Sequence, residues 1–371
     1  MTFAPIVATS TREALRAITS ALDNHQPLAL FATQLELDRQ RTILAVANAR
    51  PGDALVLFTS GSTGGSRGVV HTHASVAAIS AASQLGWQTD DRWLATLSLA
   101  RAGGVAIAIR CHVAHVPVEL ADDGEPLAAA LERATIASLV PTQLSQLLED
   151  PGWRSPHKLR AVLIGGAPAP RSLITAALDR GVPVHETYGL TETLGQVATA
   201  ATPGGPLVAL PGVELTAGAA DAPAPIRIRA PMLAARYLDG EAIAPELVTS
   251  DLGWVDGEGS LHVAGRADDV IVTGGHKVHP TEVEAVLAGT VGVRAACVFG
   301  VADARWGQIV GAALAVTPRF DRIAAARSWH AKLPAHARPR QLAIADALPV
   351  LTGAKIDRRA AAALPADIVR Y

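Results

Sequence analysis

Apolar runs of the strand type alternate with helical stretches along the first two hundred residues of this chain. "ALVLFTS" (54–60) reads as a buried strand, and "HASVAAISAASQLG" (73–86) reads as a helix. Further strands are predicted at 92–99, 104–116, 137–141, 159–166 and 183–189, and further helices at 125–134, 142–150 and 170–181. This alternation predicts an α/β core with much parallel strand pairing. Ligands of such sheets bind beyond the carboxyl ends of the strands, where 165–167 and 188–192 are expected to lie.

The pattern changes after about residue 205 to short strands and turns, and a separate α+β module is predicted from about residue 265 onward. Its elements are a helix at 281–288, strands near 293–301 and 308–316, a helix at 321–332 and a strand near 340–346. The junction is placed close to Arg266–Asp269. We therefore predict an N-terminal core domain, residues 1–266, and a small C-terminal domain, residues 267–371.

Length and charge limit the classes of function. A chain of 371 residues is long enough for one large domain and a smaller one. Its net charge of −2 does not indicate a nucleic-acid or anionic-membrane partner, so an anionic ligand must be held by a local arrangement of groups. The two cysteines, Cys111 and Cys297, lie far apart in apolar runs and are expected to be buried free thiols in a reducing cytoplasm.

No targeting or membrane segment is predicted. The N-terminal stretch lacks a basic leader followed by a long apolar run, which argues against a secretory signal. The apolar segment 94–118 is interrupted by Arg101 and Arg110 and falls short of a membrane span. We expect a cytoplasmic protein without membrane contact.

The stretch "LFTSGSTGGSRGVVHTH" (57–73) places a glycine-rich, hydroxyl-rich loop with one arginine directly after a predicted strand. Glycine lets the backbone fold its N–H groups around an anion, so such loops bind phosphate oxygens. The helix expected to follow adds its positive N-terminal end. A nucleotide phosphate site is predicted here, and a flexible surface loop is the alternative.

Two common nucleotide motifs do not match this loop. Counted from Gly61, the P-loop pattern G-x-x-x-x-G-K-[ST] requires glycine at Ser66 and a hydroxyl residue at Gly68. A Rossmann G-x-G-x-x-G is missing here as well.

Residues Phe58 to Gly68 resemble the phosphate-binding signature of the adenylate-forming (AMP-binding) enzymes, which include acyl-CoA synthetases, peptide-synthetase adenylation domains and luciferases. This chain has Ser66-Arg67 where the family usually has Pro-Lys, so the charge is kept. The resemblance implies that the nucleotide phosphates contact Thr59, Ser60, Gly61, Ser62, Thr63, Gly64 and Arg67.

"TYGLTET" (187–193) resembles the family's Y-G-x-T-E block. The resemblance implies that Tyr188 stacks on adenine, with Gly189 beside it, that Thr191 hydrogen-bonds the α-phosphate, and that Glu192 holds Mg²⁺. A single carboxylate together with phosphate oxygens suits Mg²⁺. Taken alone, Glu192 reads as a solvated carboxylate at a helix start.

"GGAPAP" (165–170) resembles the family's adenine-edge loop and implies nucleotide contacts for Gly165, Gly166 and Ala167. Taken alone, it reads equally well as an ordinary strand-to-helix turn.

Two further blocks follow in the order of the family. "TSDLGW" (249–254) resembles T-G-D-x-G and implies that Asp251 grips the ribose hydroxyls; alone, it reads as a turn-former. "GRADDVIVTGGHKVHP" (265–280) implies that Arg266 contacts ribose or phosphate and that Asp268 is the hinge of the small domain. The same block implies that Lys277 belongs to a segment that swings toward the thiol channel.

"LPVLTGAKIDRRAAA" (348–362) resembles the terminal block of the family. The resemblance implies that Lys355 stabilises negative charge growing on the carboxylate and the α-phosphate. Groups aimed at such charge typically contribute about 10²–10³ in rate. An isolated lysine near a C-terminus is otherwise usually exposed.

With these ordered motifs the chain is identified as a member of the adenylate-forming superfamily. The resemblance implies an α/β fold with a large N-terminal domain of layered mixed sheets and helices, and a small mobile α+β lid domain. It implies ATP, Mg²⁺ and coenzyme A as ligands, carboxylate adenylation with release of pyrophosphate, and then thioester formation. Since no carrier-protein motif follows Lys355, free coenzyme A is the expected thiol.

The short region before the glycine loop resembles the o-succinylbenzoate–CoA ligases of menaquinone biosynthesis, as do 138–148 and 265–278. Arg101, in "LARAGG", replaces a histidine typical of that group. It is predicted either to pair with a second substrate carboxylate or to be a surface arginine. The alternatives left open are a ligase for another aryl or acyl acid and a nucleotide-binding homologue without turnover. A homodimer is possible.

Overall fold

The computed structural model describes residues 2–59, 66–82, 85–351 and 356–369. The strands within these ranges are β1 (Ala4–Val7), β2 (Leu28–Phe31), β3 (Asp53–Phe58), β4 (Gly68–Thr72), β5 (Trp93–Ala95), β6 (Val118–Glu119), β7 (Ile136–Leu139), β8 (Ala161–Ile164), β9 (Val184–Leu190), β10 (Gly195–Ala200), β11 (Leu207–Ala209), β12 (Glu214–Thr216), β13 (Ala224–Arg229), β14 (Arg236–Tyr237), β15 (Leu247–Val255), β16 (Ser260–Arg266), β17 (Ile271–Thr273), β18 (His276–Val278), β19 (Val293–Asp303), β20 (Gly307–Val316), β21 (Gln341–Ala345) and β22 (Asp367–Ile368). The α-helices are α1 (Thr11–Asp23), α2 (Gln34–Val46), α3 (His73–Ala81), α4 (Ala102–Ala114), α5 (Leu127–Leu131), α6 (Pro141–Glu149), α7 (Arg171–Leu178), α8 (Pro280–Ala288), α9 (Arg322–Lys332) and α10 (Arg358–Ala362).

In the described part of the chain these strands form three sheets. The first has the order β1-β2-β3-β4-β14, with β1 to β3 parallel and β4 antiparallel to both neighbours. The second is mixed and has the order β12-β13-β15-β16-β11-β10-β9-β8-β7-β5-β6. Its half from β6 to β9 is parallel, and its half from β9 onward is antiparallel. The change of direction at β9 matters for the site, because the "TYGLTET" block spans the end of this strand.

The third sheet belongs to the C-terminal part of the chain and has the order β18-β17-β20-β21-β22, with β19 also paired to β20. Residues of α8 and α9, among them Val283, Leu287 and Trp329, pack on it in a core of its own. The α/β class with layered sheets is therefore confirmed. The proposed boundary at 266/267 coincides with a short 3₁₀ helix, Ala267–Asp269, between β16 and β17, and it stays a prediction.

The main core lies between the first two sheets and is lined by α1, α3 and α4. Helix α3 begins at His73 because Thr72 caps it. The Thr72 hydroxyl accepts from the backbone N–H of Ser75 at 3.2 Å, and the Ser75 hydroxyl accepts from the Thr72 N–H at 3.0 Å. This capping box satisfies two backbone donors that the first turn of a helix leaves unpaired.

The strand predicted at 104–116 is wrong, because this segment is helix α4. Its run of alanine, valine and isoleucine shows no alternation, and an apolar run of that kind is compatible with either element. The helix is buried along nearly its whole length, since it contacts α1, α3 and β10. Its thirteen residues fit a buried helix better than a strand, so length was the better guide.

Strand β4 was not predicted, and it corrects the expected strand–loop–helix arrangement. The glycine-rich loop connects the antiparallel strands β3 and β4, and α3 begins only after β4. Five residues of strand separate the loop from the helix start, or about 17 Å. The positive end of α3 is therefore too far away to act on a phosphate held in the loop, because the effect of a helix dipole fades within a turn.

A buried ion pair joins β14, the edge strand of the first sheet, to β3. Arg236 on β14 donates from both terminal nitrogens to Asp53 on β3, at 2.8 and 2.7 Å, and both side chains are more than nine-tenths buried. Asp53 also accepts from the Arg50 backbone N–H at 2.8 Å. Burial raises the pKa of the Asp53 carboxyl, but these hydrogen bonds outweigh it and hold the pKa below its ordinary value. Asp53 is therefore charged and fully paired.

We predict that Arg236→Met destabilises the protein by about 3–5 kcal/mol, because it leaves the Asp53 carboxylate buried without a cation. Urea unfolding followed by circular dichroism measures the change. Arg41→Met is the matched control, since it breaks an exposed pair with Asp38 (3.3 Å) that contributes about 1 kcal/mol or less. Equal effects of the two substitutions would contradict the assignment.

Candidate active site

The glycine-rich loop is closed at its base by three hydrogen bonds. The Thr59 N–H donates to the Arg67 carbonyl at 3.0 Å, the Arg67 N–H donates to the Thr59 hydroxyl at 3.0 Å, and the Ser66 hydroxyl donates to the Thr59 carbonyl at 2.5 Å. Together with the β3–β4 pairing, these bonds fix where the loop leaves and rejoins the sheet. The predicted phosphate ligands Ser60, Gly61, Ser62, Thr63 and Gly64 lie outside the described residues.

Arg67, the basic residue of the loop, is held by two carboxylates and one aromatic ring. Its guanidinium donates to Asp239 at 2.7 Å and to Glu241 at 2.6 Å, and it lies 3.5 Å above the centre of the Tyr237 ring. The side chain keeps more than a third of its surface exposed. Arg67 therefore stands at the rim of the loop with a fixed direction and access to solvent.

The end of β9 forms a tight turn that presents Thr191 and Glu192. The Thr193 hydroxyl closes it, accepting from the Leu190 N–H at 2.9 Å and donating to the Gly195 carbonyl at 2.6 Å. A side chain at Gly189 is sterically excluded, because its Cβ would lie 1.8 Å from the Gly195 carbonyl oxygen. The geometry thus gives Gly189 a structural reason besides its predicted nucleotide contact.

Three hydrogen bonds attach this turn to the first sheet and to the segment that leads into β14. His71 on β4 is fully buried, and its Nε2 lies 2.9 Å from the Thr191 carbonyl, so the neutral ring donates there. The backbone N–H of Ala234 donates to the Glu192 carbonyl at 2.8 Å. The hydroxyl of Tyr237 donates to Glu192 Oε1 at 3.0 Å. Thr191 and Glu192 are thereby brought beside the strands that carry the glycine-rich loop.

Tyr188, Asp251 and Arg266 also come together. The Tyr188 hydroxyl donates to Asp251 Oδ2 at 2.9 Å, and Arg266 Nη1 lies 3.9 Å from Asp251 Oδ1. Burial, and then the charge of Asp251, raises the pKa of Tyr188, so the phenol stays a donor. Tyr188 lies within β9 rather than beyond it, because β9 continues to Leu190 where it pairs with β10. Tyr188 was expected beyond the end of the strand, but the strand extends past it.

Gly165, Gly166 and Ala167 follow β8 directly, at the edge where the parallel strands end, as expected. Gly165 packs on the neighbouring strand, since a Cβ there would lie 2.3 Å from the Thr187 hydroxyl. Gly166 adopts a φ of +80°, which glycine tolerates best. The turn therefore needs glycine at both positions for reasons of its own.

Three predicted site residues, Asp268, Lys277 and Lys355, lie in the C-terminal part of the chain. Asp268 is exposed in the 3₁₀ helix after β16 and accepts from Arg266 at 3.3 Å. Lys277 is exposed on β18. Lys355 lies outside the described residues.

Arg101 is engaged inside the protein. It donates to Glu36 on α2 at 2.6 Å and to the Phe58 carbonyl at 3.1 Å. It is therefore not a free surface arginine, and its expected contact with a second substrate carboxylate stays a prediction.

Sequence reasoning missed Arg110. Its guanidinium is almost fully buried on α4 and donates to the Ile79 and Ala82 carbonyls, at 3.2 and 3.3 Å, and to the Gln196 side chain. Among the described residues it pairs with no carboxylate, and burial lowers its pKa to about 10. A small cavity between α4 and β10 is lined by both Arg110 and Gln196. The only sequence signal was an arginine inside an apolar run.

The residues present fit a magnesium ion bound together with a triphosphate. Glu192 offers one carboxylate whose Oε2 has no hydrogen-bond partner within the described ranges, and Mg²⁺ often takes one or two carboxylates plus phosphate oxygens. Clusters of three or more potential metal ligands do not occur in the described part of the chain. Such a cluster is not needed when the nucleotide supplies the remaining ligands.

None of the helices described is long and apolar enough to cross a membrane.

Comparison with protein-family models shows which family this chain belongs to. Residues 6–225 match the model of the AMP-binding enzymes, and residues 282–355 match the C-terminal domain of these enzymes. The chain belongs to the AMP-binding enzyme family. This AMP-binding enzyme is 34% identical over 281 residues to the 2-succinylbenzoate–CoA ligase of Geobacillus kaustophilus, covering 69% of this chain and 57% of the relative. It is 31% identical to the ligase of that name from Listeria innocua, covering 82% of this chain and 68% of the relative.

A solved structure agrees with these relatives. The o-succinylbenzoate CoA synthetase of Bacillus subtilis, in complex with its acyl-adenylate intermediate, superimposes with a TM-score of 0.75 at 26% identity. The match covers 96% of this AMP-binding enzyme and 82% of the Bacillus chain. The Bacillus enzyme has also been solved with ATP and a magnesium ion. The resemblance expected from the sequence motifs is thus confirmed at the level of family and fold.

We predict a pH dependence of stability from His71. Burial lowers the pKa of His71 to about 4, against about 6.5 in an unfolded chain, so below pH 6.5 the unfolded state binds the extra proton. Stability from this residue is complete above pH 6.5 and is lost as the pH falls towards 4, by about 2 kcal/mol at pH 5. His71→Gln keeps a side-chain N–H donor and removes the titration.

Urea unfolding of the wild type and of His71→Gln at pH 7.5 and pH 5.0 measures this contribution. Subtracting the two pH differences cancels the other titrating groups. The wild type should lose about 2 kcal/mol more than the variant. If both lose the same amount, His71 is not buried in its neutral form.

Proposed function

We propose that this chain is an ATP-dependent acid–CoA ligase, with o-succinylbenzoate as its acid. The observation that supports the proposal most strongly is the joining of Glu192, Tyr188 and Asp251 around one strand end beside the base of the glycine-rich loop. A carboxylate with phosphate oxygens suits Mg²⁺, and a glycine-rich loop suits phosphate oxygens. Relatives with this name at 31% and 34% identity support the choice of reaction.

The reaction follows from the weakness of a carboxylate as an acyl donor, because its leaving group would be oxide. In the first step a carboxylate oxygen attacks the α-phosphorus of ATP, the bond to the bridging oxygen of pyrophosphate breaks, and an acyl-adenylate forms. In the second step the sulfur of coenzyme A attacks the acyl carbonyl, AMP leaves, and the thiol proton passes to solvent. Catalysis of such transfers consists mainly of positioning and charge neutralisation.

Each predicted site residue has a role in the proposed reaction. Thr59 and Arg67, with the loop between them, receive the phosphates. Asp251 takes the ribose hydroxyls, Tyr188 faces the adenine, and Thr191 donates to the α-phosphate. Glu192 would hold Mg²⁺, which neutralises phosphate charge when bound.

The other predicted residues have supporting roles. Gly165, Gly166, Ala167 and Gly189 would contact the nucleotide, and Arg266 would contact the ribose or a phosphate. Asp268 would be the hinge of the small domain, Lys277 would lie near the thiol, and Lys355 would stabilise the developing negative charge.

For a substrate with two carboxylates, the buried guanidinium of Arg110 is a better second contact than Arg101. Arg101 already pairs with Glu36, whereas the hydrogen bonds of Arg110 within the described residues all go to neutral acceptors. A buried cation without an anion is costly, so the site gains by receiving a carboxylate. We therefore assign the carboxylate that does not react to Arg110, with Gln196 beside it.

The proposed activity is tested by incubating the protein with ATP, Mg²⁺, coenzyme A and a panel of aryl and acyl acids. We expect o-succinylbenzoate to give the acyl-CoA thioester by mass spectrometry and to support ATP–pyrophosphate exchange. Lys355→Ala should lower the exchange rate at least about 10²-fold. Exchange with another acid alone would replace the substrate, and absence of exchange with every acid would favour a binding protein without turnover.

A second prediction concerns Arg110. Arg110→Met should lower kcat/KM for o-succinylbenzoate by about 30-fold or more, mainly through KM, because the second carboxylate then enters a buried site without a cation. The KM for ATP should stay unchanged. An analogue acid that lacks the second carboxylate is the control, since wild type and variant should handle it similarly. A parallel loss with both acids would assign Arg110 a purely structural role.

A further inference from the structure

Tyr237 makes a contact that the roles proposed above leave unexplained. It is half-buried on β14, and its hydroxyl donates to Glu192 Oε1 at 3.0 Å. The bond reaches from the first sheet to the turn after β9. Glu192 is the one carboxylate of this turn, so a group that fixes its side chain acts directly on the proposed cation ligand.

The ring of Tyr237 is itself held in place from the other side. Arg67 lies 3.5 Å above its centre, and that guanidinium is in turn fixed by Asp239 and Glu241. An arginine over an aromatic face is attracted by the ring's negative π-face. The ring therefore has little freedom to turn its hydroxyl away from Glu192.

The backbone around Tyr237 is fixed as well. Tyr237 pairs with Val69 on β4, and its N–H donates to the Glu241 carbonyl at 2.8 Å. The preceding residue, Arg236, is locked to Asp53 by the buried ion pair. The Glu192 backbone is tied to the same segment through Ala234. Both ends of the Tyr237–Glu192 hydrogen bond thus belong to one rigid arrangement.

We propose that Tyr237 is a positioning residue for Glu192: its hydroxyl occupies Oε1 and directs Oε2 toward a divalent cation bound with the nucleotide. Groups that hydrogen-bond a metal-ligating carboxylate orient it and strengthen metal binding, and their removal typically costs about 10–100-fold in metal affinity. The inference rests on the proposed ATP site but not on the identity of the acid.

The test is Tyr237→Phe, which removes one oxygen and keeps the ring under Arg67. ATP binding is measured by isothermal titration calorimetry at a series of Mg²⁺ concentrations. We expect the half-saturating Mg²⁺ concentration to rise about tenfold. Thermal unfolding without ligands should be nearly unchanged, which separates positioning from a general loss of stability.

Tyr188→Phe is the matched control, because it removes the same oxygen from a hydrogen bond to a different carboxylate, Asp251. It should weaken ATP binding equally at all Mg²⁺ concentrations. In a Glu192→Gln background, Tyr237→Phe should have no further effect on the Mg²⁺ dependence, since the two residues act through one carboxylate.

An unchanged half-saturating Mg²⁺ concentration in Tyr237→Phe would overturn the inference, as would an equal shift in the Glu192→Gln background. If the wild type binds no ATP at any Mg²⁺ concentration, the proposed function fails instead. The two failures are therefore distinguishable in the same titrations.

Discussion

The pairing of β14 with β4, secured by the buried Asp53–Arg236 ion pair, is the contact on which the site depends. The two residues are 183 positions apart in sequence, so this single connection closes a very long loop of chain. It brings the segment 236–241 to the rim of the glycine-rich loop. It also places Tyr237 opposite the turn after β9, where the large mixed sheet changes from parallel to antiparallel pairing.

Charge supports the proposed binding of a cation at Glu192. Glu192, Asp239 and Glu241 lie close to the base of a loop to which we assign a triphosphate, and Arg67 is already neutralised by two of these carboxylates. A triphosphate would add several negative charges beside carboxylates that already pair with Arg67. A divalent ion on Glu192 would reduce the resulting repulsion, and Asp239 and Glu241 fix the direction of the Arg67 side chain.

Local sequence patterns predicted the fold class and many of the elements, because both depend on local information. The strand at 161–164 follows from a short apolar run, and the helix at 280–288 follows from its apolar residues and the proline in its first turn. The segment 104–116 was misassigned because valine and isoleucine favour strands, whereas burial among five neighbouring elements stabilises a helix there. Strand β4 was missed because its five residues run directly into the cap of α3 and only one of its two partners, β3, is near in sequence.

The candidate site divides in the same way. Glu192 and Asp251 stand in short motifs that resemble those of the AMP-binding enzymes, and that resemblance singled them out. Tyr237 and Arg110 carry no such motif, because their importance arises from partners brought close only by the tertiary fold. Arg101 was singled out by its position, but the structure shows its charge engaged by Glu36 on α2, a helix for which no pattern was predicted.

The central claim is that the triphosphate of ATP lies between the loop joining β3 to β4 and the Glu192 carboxylate. The most direct measurement is a crystal structure of the protein with a non-hydrolysable ATP analogue and Mg²⁺. We expect phosphate density at the loop, the metal on Glu192 Oε2, and the ribose at Asp251. Nucleotide density at any other place on the protein, with this loop and Glu192 untouched, would contradict it.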